Sequence, residues 1–253
     1  MRVALIQHDL HWENPAANRE AFAEKIMQCS DCDLIVLPEM FTTGFTMNPT
    51  AVAEAADGVS VRWMLELARL TNAAITGSLS TAAESGFYNR MYFVCPDGTI
   101  FHYDKRHLFT LAGENDVYCA GTRKVVVPFR GWKICLQVCY DLRFPVFARN
   151  QEEYDLLLYV ANWPDKRLKA WDILLPARAV ENMCFVAGVN RTGNDPNGNT
   201  YKGHSQLVNF MGEYVILPAE NEGIFKAEIH LEEMRAARRK LGFLNDRDSF
   251  KVI

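Results

Sequence analysis

The chain has 253 residues, 49% hydrophobic and 23% charged, with 15 Gly and 10 Pro, which excludes collagen-like, disordered and disulfide-scaffold chains. A chain this long can bury roughly 70–75% of the surface it exposes when unfolded, so the core needs no staples. Lys and Arg number 27 against 31 Asp and Glu, a formal charge of −4, and the basic residues are scattered; a small-molecule partner is expected, with no nucleic acid and no membrane.

In chain order, the apolar run Val3–Gln7 predicts a strand directly after Met1-Arg2. With no charged-then-apolar leader, and no uncharged apolar stretch near the ~18 residues of a membrane span, the expectation is a cytoplasmic protein with reduced thiols. Asn14-Pro15 signals a cap and first turn for a helix to about Cys29, with Ala17, Phe22, Ile26 and Met27 near helical spacing. Leu34–Leu37 is the next strand, and Ser60 opens a helix in which Val61, Trp63, Met64, Leu65 and Ala68 face inward. Ala73–Leu79 and Met91–Cys95 follow as strands, with a turn at Pro96-Asp97-Gly98-Thr99. Val125–Phe129, Ile134–Val138, Leu156–Val160, Cys184–Val189, Gln206–Phe210 and Ile224–Ile229 complete the strand set. A helix is expected from about Lys166 to Asn182, kinked at Pro176, and a charged, exposed one at His230–Lys240. Several strands are apolar throughout rather than alternating, as strands covered on both faces are. No repeat, low-complexity tract or linker interrupts the chain, so residues 1–253 are expected to form a single domain of α/β or α+β class with two sheets and outer helices.

Reactive side chains fall at strand ends. Leu34–Leu37 leads through Pro38 to Glu39; Ile134–Val138 leads to Cys139, Tyr140 and Asp141; Leu156–Ala161 leads to Asn162 and Trp163. Such ends collect sites in layered folds, because strands fix positions while loops supply variety. Each alone has a plainer explanation: a carboxylate after a strand caps a helix, and a cysteine in an apolar run is a small buried hydrophobe. Cys29-Ser30-Asp31-Cys32 has redox or half-zinc spacing but no second ligand pair, and reads as a helix end and loop. Cys95, Cys135 and Cys184 read as core, Cys119 as an exposed loop residue, and the sequon Asn190-Arg191-Thr192 as accidental.

Three segments together resemble the signature segments of the nitrilase (carbon–nitrogen hydrolase) superfamily, in the same order. They are Leu37-Pro38-Glu39-Met40-Phe41, Tyr103-Asp104-Lys105-Arg106-His107-Leu108-Phe109 and Val138-Cys139-Tyr140-Asp141-Leu142-Arg143-Phe144-Pro145, with key side chains 66 and then 34 residues apart. The resemblance runs over nearly the whole chain and takes in Glu114, Asn162-Trp163-Pro164 and Arg178-Ala179-Val180-Glu181-Asn182. Phe41-Thr42-Thr43-Gly44-Phe45 and the short chain are most similar to the omega-amidase branch, which hydrolyses the terminal amide of 2-oxoglutaramate.

The resemblance implies a four-layer α-β-β-α sandwich that pairs as a homodimer, an amidase with no cofactor or metal, and the catalytic residues Glu39, Lys105 and Cys139. Physical chemistry agrees, since amide hydrolysis needs a nucleophile, a proton shuttle and a stabilised oxyanion. Cys139 would attack, Glu39 would serve as general base and acid, and Lys105 would favour the thiolate and the oxyanion, with the Tyr140 backbone N–H as second donor. Glu114 would position Lys105 or the substrate. Tyr140, Asn162 and Trp163 are expected to line the pocket, Asp141 and Arg143 to brace the turn, and His107 is a weaker candidate base. Arg143, Arg191 and Lys202 are candidates by type to bind a substrate carboxylate. A nitrilase or N-carbamoyl amidohydrolase with the same triad, and a binding protein without turnover, are the competing readings; the intact triad speaks against the last.

Overall fold

The computed structural model describes residues 1–252. Along β1 (Arg2–Gln7), Val3 and Leu5 join one hydrophobic cluster while Ala4 and Ile6 join another, so the strand is covered on both faces. The same alternation recurs in β2 (Leu34–Val36), and it sets the layering. On the outer side, α1 (Pro15–Met27) contributes Phe22 and Ile26. After the short α2 (Pro49–Val52) and β3 (Glu54–Ala55), α3 (Val59–Thr71) adds Val61, Met64, Leu67 and Ala68 to that layer. The Asn14 side chain accepts from the Ala17 N–H at 3.2 Å, the expected cap ahead of Pro15.

The first sheet continues with β4 (Ala74–Ala83), β5 (Gly86–Val94) and β6 (Ile100–Asp104), the last two antiparallel. Strand β5 begins five residues earlier than the apolar run at Met91 suggests, which places Asn89 inside the sheet, opposite Ser80. After the one-turn helix α4 (Glu114–Val117), the second sheet is built from β7 (Val125–Phe129), β8 (Trp132–Val138), the short α5 (Pro145–Ala148) beside it, and β9 (Leu156–Ala161). Helix α6 (Leu168–Asn182) runs through Pro176 and precedes β10 (Phe185–Asn190), parallel to β9. The polar segment Thr192–Lys202 forms a ribbon, β11 (Thr192–Asn194) and β12 (Thr200–Lys202), which hydropathy did not reveal. Asp195 shapes it, accepting from the Asn197 and Asn199 N–H groups, the Asn199 amide and the Tyr201 hydroxyl. Strands β13 (Gln206–Val208) and β14 (Tyr214–Ile216) close the second sheet, and β15 (Gly223–Glu228) returns to pair antiparallel with β1. Helix α7 (Leu231–Leu241) has Glu232 and Glu233 in its first turn and Arg238, Arg239 and Lys240 in its last, in accord with its dipole.

The strand orders are β15-β1-β2-β4-β5-β6, with β3 beside β4, and β14-β13-β10-β9-β8-β7. Between the sheets pack Val3, Leu5, Met91 and Phe93 from one and Ile134, Leu136, Leu158 and Ala187 from the other. With α1 and α3 outside the first sheet and α6 outside the second, the order of layers is α-β-β-α. Cys29 and Cys32 are buried in the turns after α1, and Cys95, Cys135 and Cys184 are core, while Cys119 is half-buried. No helix among the described residues is long and apolar enough to cross a membrane.

Helix α6 lies so close to β10 that a Cβ on Gly188 would stand 2.5 Å from Leu175 Cδ1 and 2.7 Å from Trp171 Cζ2. Gly188→Ala should therefore destabilise the protein by about 1–3 kcal/mol through overpacking, measured by urea unfolding. An unchanged midpoint would mean that α6 can shift away from the sheet.

Candidate active site

Strand ends from both sheets converge on one buried cluster. Glu39 follows β2, Lys105 follows β6, Glu114 opens α4 and Cys139 follows β8; Glu39, Lys105 and Glu114 are completely buried. Lys105 Nζ lies 2.9 Å from Glu39 Oε1 and 2.9 Å from Glu114 Oε2, and 5.1 Å from the centre of the Phe45 ring. Backbone groups share the load: the Asn162 N–H donates to Glu39 Oε2 at 2.8 Å and the Phe109 N–H to Glu114 Oε2 at 2.6 Å. The Asn162 side chain also donates to the Glu39 carbonyl at 2.6 Å, tying the end of β9 to the end of β2 across the two sheets.

Burial works against the Lys105 charge, but Glu114 and Glu39 outweigh it and hold the ammonium's pKa well above the ordinary lysine range. Burial pushes the Glu114 carboxyl up, with Lys105 opposing and Glu39 adding to the rise. The Cys139 thiol is also pushed well up, first by burial and then by the charge of Glu39, with Lys105 working the other way. Lys105 thus favours the thiolate, while burial and the charge of Glu39 favour the thiol more strongly.

Cys139 has φ +47°, a left-handed conformation unfavourable for a side chain bearing a Cβ, at the point where β8 turns into a 3-10 segment over Cys139–Arg143. Asp141 holds that turn. Fully buried, it accepts from the Val138 N–H at 2.9 Å, the Tyr103 hydroxyl at 2.7 Å, and the His107 N–H and Nδ1 at 3.0 and 2.7 Å. His107 is committed to this brace, stacked 3.8 Å from the Phe144 ring, rather than free to serve Cys139.

Outside the cluster opens a cavity of about 190 Å³ with Cys139 in its lining. Tyr140, Asn162 and Trp163 line it as expected, joined by Arg143, Lys166, Arg167, Asn199 and Tyr201, which bring cations to the walls but no Asp or Glu. Among the three candidates for binding a carboxylate, only Arg143 lines the cavity, its guanidinium 5.1 Å from the centre of the Trp163 ring. Arg191 is fully buried and paired with Asp9, and Lys202 is paired with Glu220.

A family model described as carbon–nitrogen hydrolase matches residues 2–239. The chain belongs to the carbon–nitrogen hydrolase family. It is 44% identical over 253 residues to the omega-amidase YafV of Escherichia coli (strain K12), covering 100% of this chain and 98% of that protein. It is 34% identical over 252 residues to the 2-oxoglutaramate amidase of Bacillus subtilis (strain 168), covering 96% of each. Among solved structures, the carbon–nitrogen hydrolase superfamily protein XC1258 from Xanthomonas campestris, which carries an arsenic adduct in its active site, superposes with a TM-score of 0.97. That match has 41% identity and covers 100% of this chain and 98% of that one.

Sequence reasoning missed several residues of this hydrolase site. Asn89 donates to both Glu39 and Glu114, and the signal for it was a carboxamide beside the apolar Met91–Cys95 run. Asn199 and Tyr201 come from the β11–β12 ribbon, whose polar sequence carries no strand period. Lys166 and Arg167 enter from the turn before α6, where the sequence places only the start of a helix.

Asp141→Ala should cost about 2–4 kcal/mol of stability, because it leaves several buried donors without an acceptor, and should slow alkylation of Cys139 by displacing the turn. Urea unfolding and the labelling rate measure the two effects. A variant with wild-type values for both would show that the turn holds its shape without the brace.

Proposed function

We propose that the protein hydrolyses the terminal amide of a small dicarboxylic acid monoamide such as 2-oxoglutaramate, releasing the acid and ammonia through a Cys139 thioester. One observation carries the reading: the cavity has Cys139 in its lining and Arg143, Lys166 and Arg167 in its walls, and no Asp or Glu among the described residues lines it. The full-length similarity to proteins named omega-amidase and 2-oxoglutaramate amidase supports it.

In this mechanism Glu39 takes the Cys139 proton as sulfur attacks the amide carbon. The tetrahedral oxyanion is held by the Lys105 ammonium and the Tyr140 backbone N–H. Glu39 returns its proton to the departing nitrogen, ammonia leaves and the thioester remains. Water then loses a proton to Glu39, adds to the thioester carbon, and the C–S bond breaks with that proton returned to sulfur. Glu114 holds Lys105 from the other side. Arg143 is the anchor for the distal carboxylate, since it reaches the cavity and has no carboxylate partner among the described residues.

Kinetics on 2-oxoglutaramate, an uncharged amide of equal length and the matching nitrile test the substrate class. Arg143 is solvent-exposed, so losing a charged hydrogen bond to it predicts a preference of roughly 10- to 150-fold in kcat/KM for the anionic amide. A ratio below about tenfold would reject the carboxylate anchor. Arg143→Met should raise KM far more than it lowers kcat. Glu39→Gln should lower kcat by roughly 10²–10⁴-fold, with a milder loss in Glu114→Gln. Cys139→Ala should abolish both turnover and the covalent adduct, and an adduct at another cysteine with activity retained would overturn the mechanism.

The proposed setting is the cytoplasm and the proposed assembly a homodimer. Val146 of α5 and Ile173 and Val180 of α6 are exposed apolar side chains, with Gly212 of the β13–β14 turn beside Val180. Sedimentation should give twice the chain mass, reduced to one chain mass in an Ile173→Glu, Val180→Glu variant; a wild-type monomer would reject the pairing.

A further inference from the structure

Asn89 sits inside β5, fully buried, and neither the family comparisons nor the expected triad gives it a role. Its Nδ2 donates to Glu39 Oε1 at 2.8 Å and to Glu114 Oε1 at 3.0 Å, and its backbone carbonyl accepts from the Lys105 N–H at 3.0 Å. One residue therefore touches all three charged members of the cluster. Its own Oδ1 is buried without a partner. A leucine would fill the same space without leaving an unpaired acceptor, so packing alone does not explain a carboxamide here.

The ionisable groups around Asn89 are Glu39 after β2, Lys105 after β6, Glu114 of α4, Cys139 after β8 and the Tyr118 hydroxyl, which bonds to Ser80 and the Thr46 carbonyl. Two carboxylates share one ammonium, so they repel each other and one of them tends to hold a proton. Donors placed between like charges relieve that tendency, because each N–H favours the ionised form of the oxygen it meets.

We infer that Asn89 is a positioning residue of the hydrolase: by giving one amide hydrogen to Glu39 and the other to Glu114, it keeps both carboxylates ionised and separated around Lys105, leaving Glu39 able to accept the Cys139 proton. The inference rests on the Cys139–Glu39 mechanism above but not on the identity of the substrate. The neighbouring Arg90 and Asp104 pair with each other at 2.6 Å and take no part in the cluster.

The test follows alkylation of Cys139 by iodoacetamide against pH, with the labelled residue identified by mass spectrometry, so that no substrate is needed. Below the acid limb, Glu39 already carries a proton and cannot take that of the thiol. In Asn89→Leu the acid limb should move to higher pH by about one unit, since two hydrogen bonds to the ionised forms are lost. With substrate, kcat should fall while KM stays within about twofold. Asn89→Ser, which keeps one donor, should recover part of the shift. A folded Asn89→Leu protein, judged by its thermal melt, with the wild-type acid limb would overturn the inference. If Asn89→Leu fails to fold, Asn89→Ser decides by the same readout, an unmoved limb again overturning it. Failure of wild-type Cys139 to label would instead count against the mechanism, and failure to turn over 2-oxoglutaramate against the substrate class alone.

Discussion

The buried ammonium of Lys105, held between Glu39 and Glu114, is the constraint around which the rest of the molecule is arranged. Taking charges out of water costs several kcal/mol each, and their mutual attraction repays this only when geometry is tight and the remaining lone pairs are filled. Two carboxylates and one ammonium are not neutral by themselves. The excess negative charge is spread over the Asn162 and Phe109 N–H groups and the Asn89 amide, which come from different parts of the chain. The cluster therefore requires β5, the end of β9 and the turn before α4 to stand in one arrangement.

That requirement explains the two-sheet architecture better than core volume alone. Continuous apolar strands such as β9, buried along its whole length, lock the sheets together and leave little freedom at their ends. Glu39 and Asn162, on different sheets, can then meet at hydrogen-bond distance, and the Cys139 turn can be held in an unfavourable backbone conformation by Asp141. Strain at Cys139 persists because the brace, built from Tyr103, His107 and Val138, over-determines the turn.

The electrostatics divide the site into two regions. Inside, burial and the charge of Glu39 push the Cys139 thiol up, with Lys105 working the other way. Outside, the cavity walls carry Arg143, Lys166 and Arg167 in partial contact with solvent, where a cation costs little until an anion displaces its water.

Much of this was legible in the residues alone. Strand-end placement of Glu39, Cys139 and Asn162 follows from apolar runs that stop abruptly, and the order and spacing of the three motifs identify the hydrolase family, because local pattern is enough to set strands and a motif is local by nature. Asn14-Pro15 likewise signals the start of α1 through short-range hydrogen bonding. What the sequence could not decide are contacts between segments far apart in the chain. Asn89 is an ordinary polar residue until β4 and β6 flank it and Glu39 and Glu114 arrive from 50 residues upstream and 25 downstream. Arg143, Arg191 and Lys202 are equivalent as cations, and only the fold buries Arg191 against Asp9, leaves Lys202 with Glu220 and turns Arg143 into the cavity. The direction of the Cys139 shift is of the same kind, since burial and neighbouring charge are sums over the whole surroundings, and no window of sequence contains them.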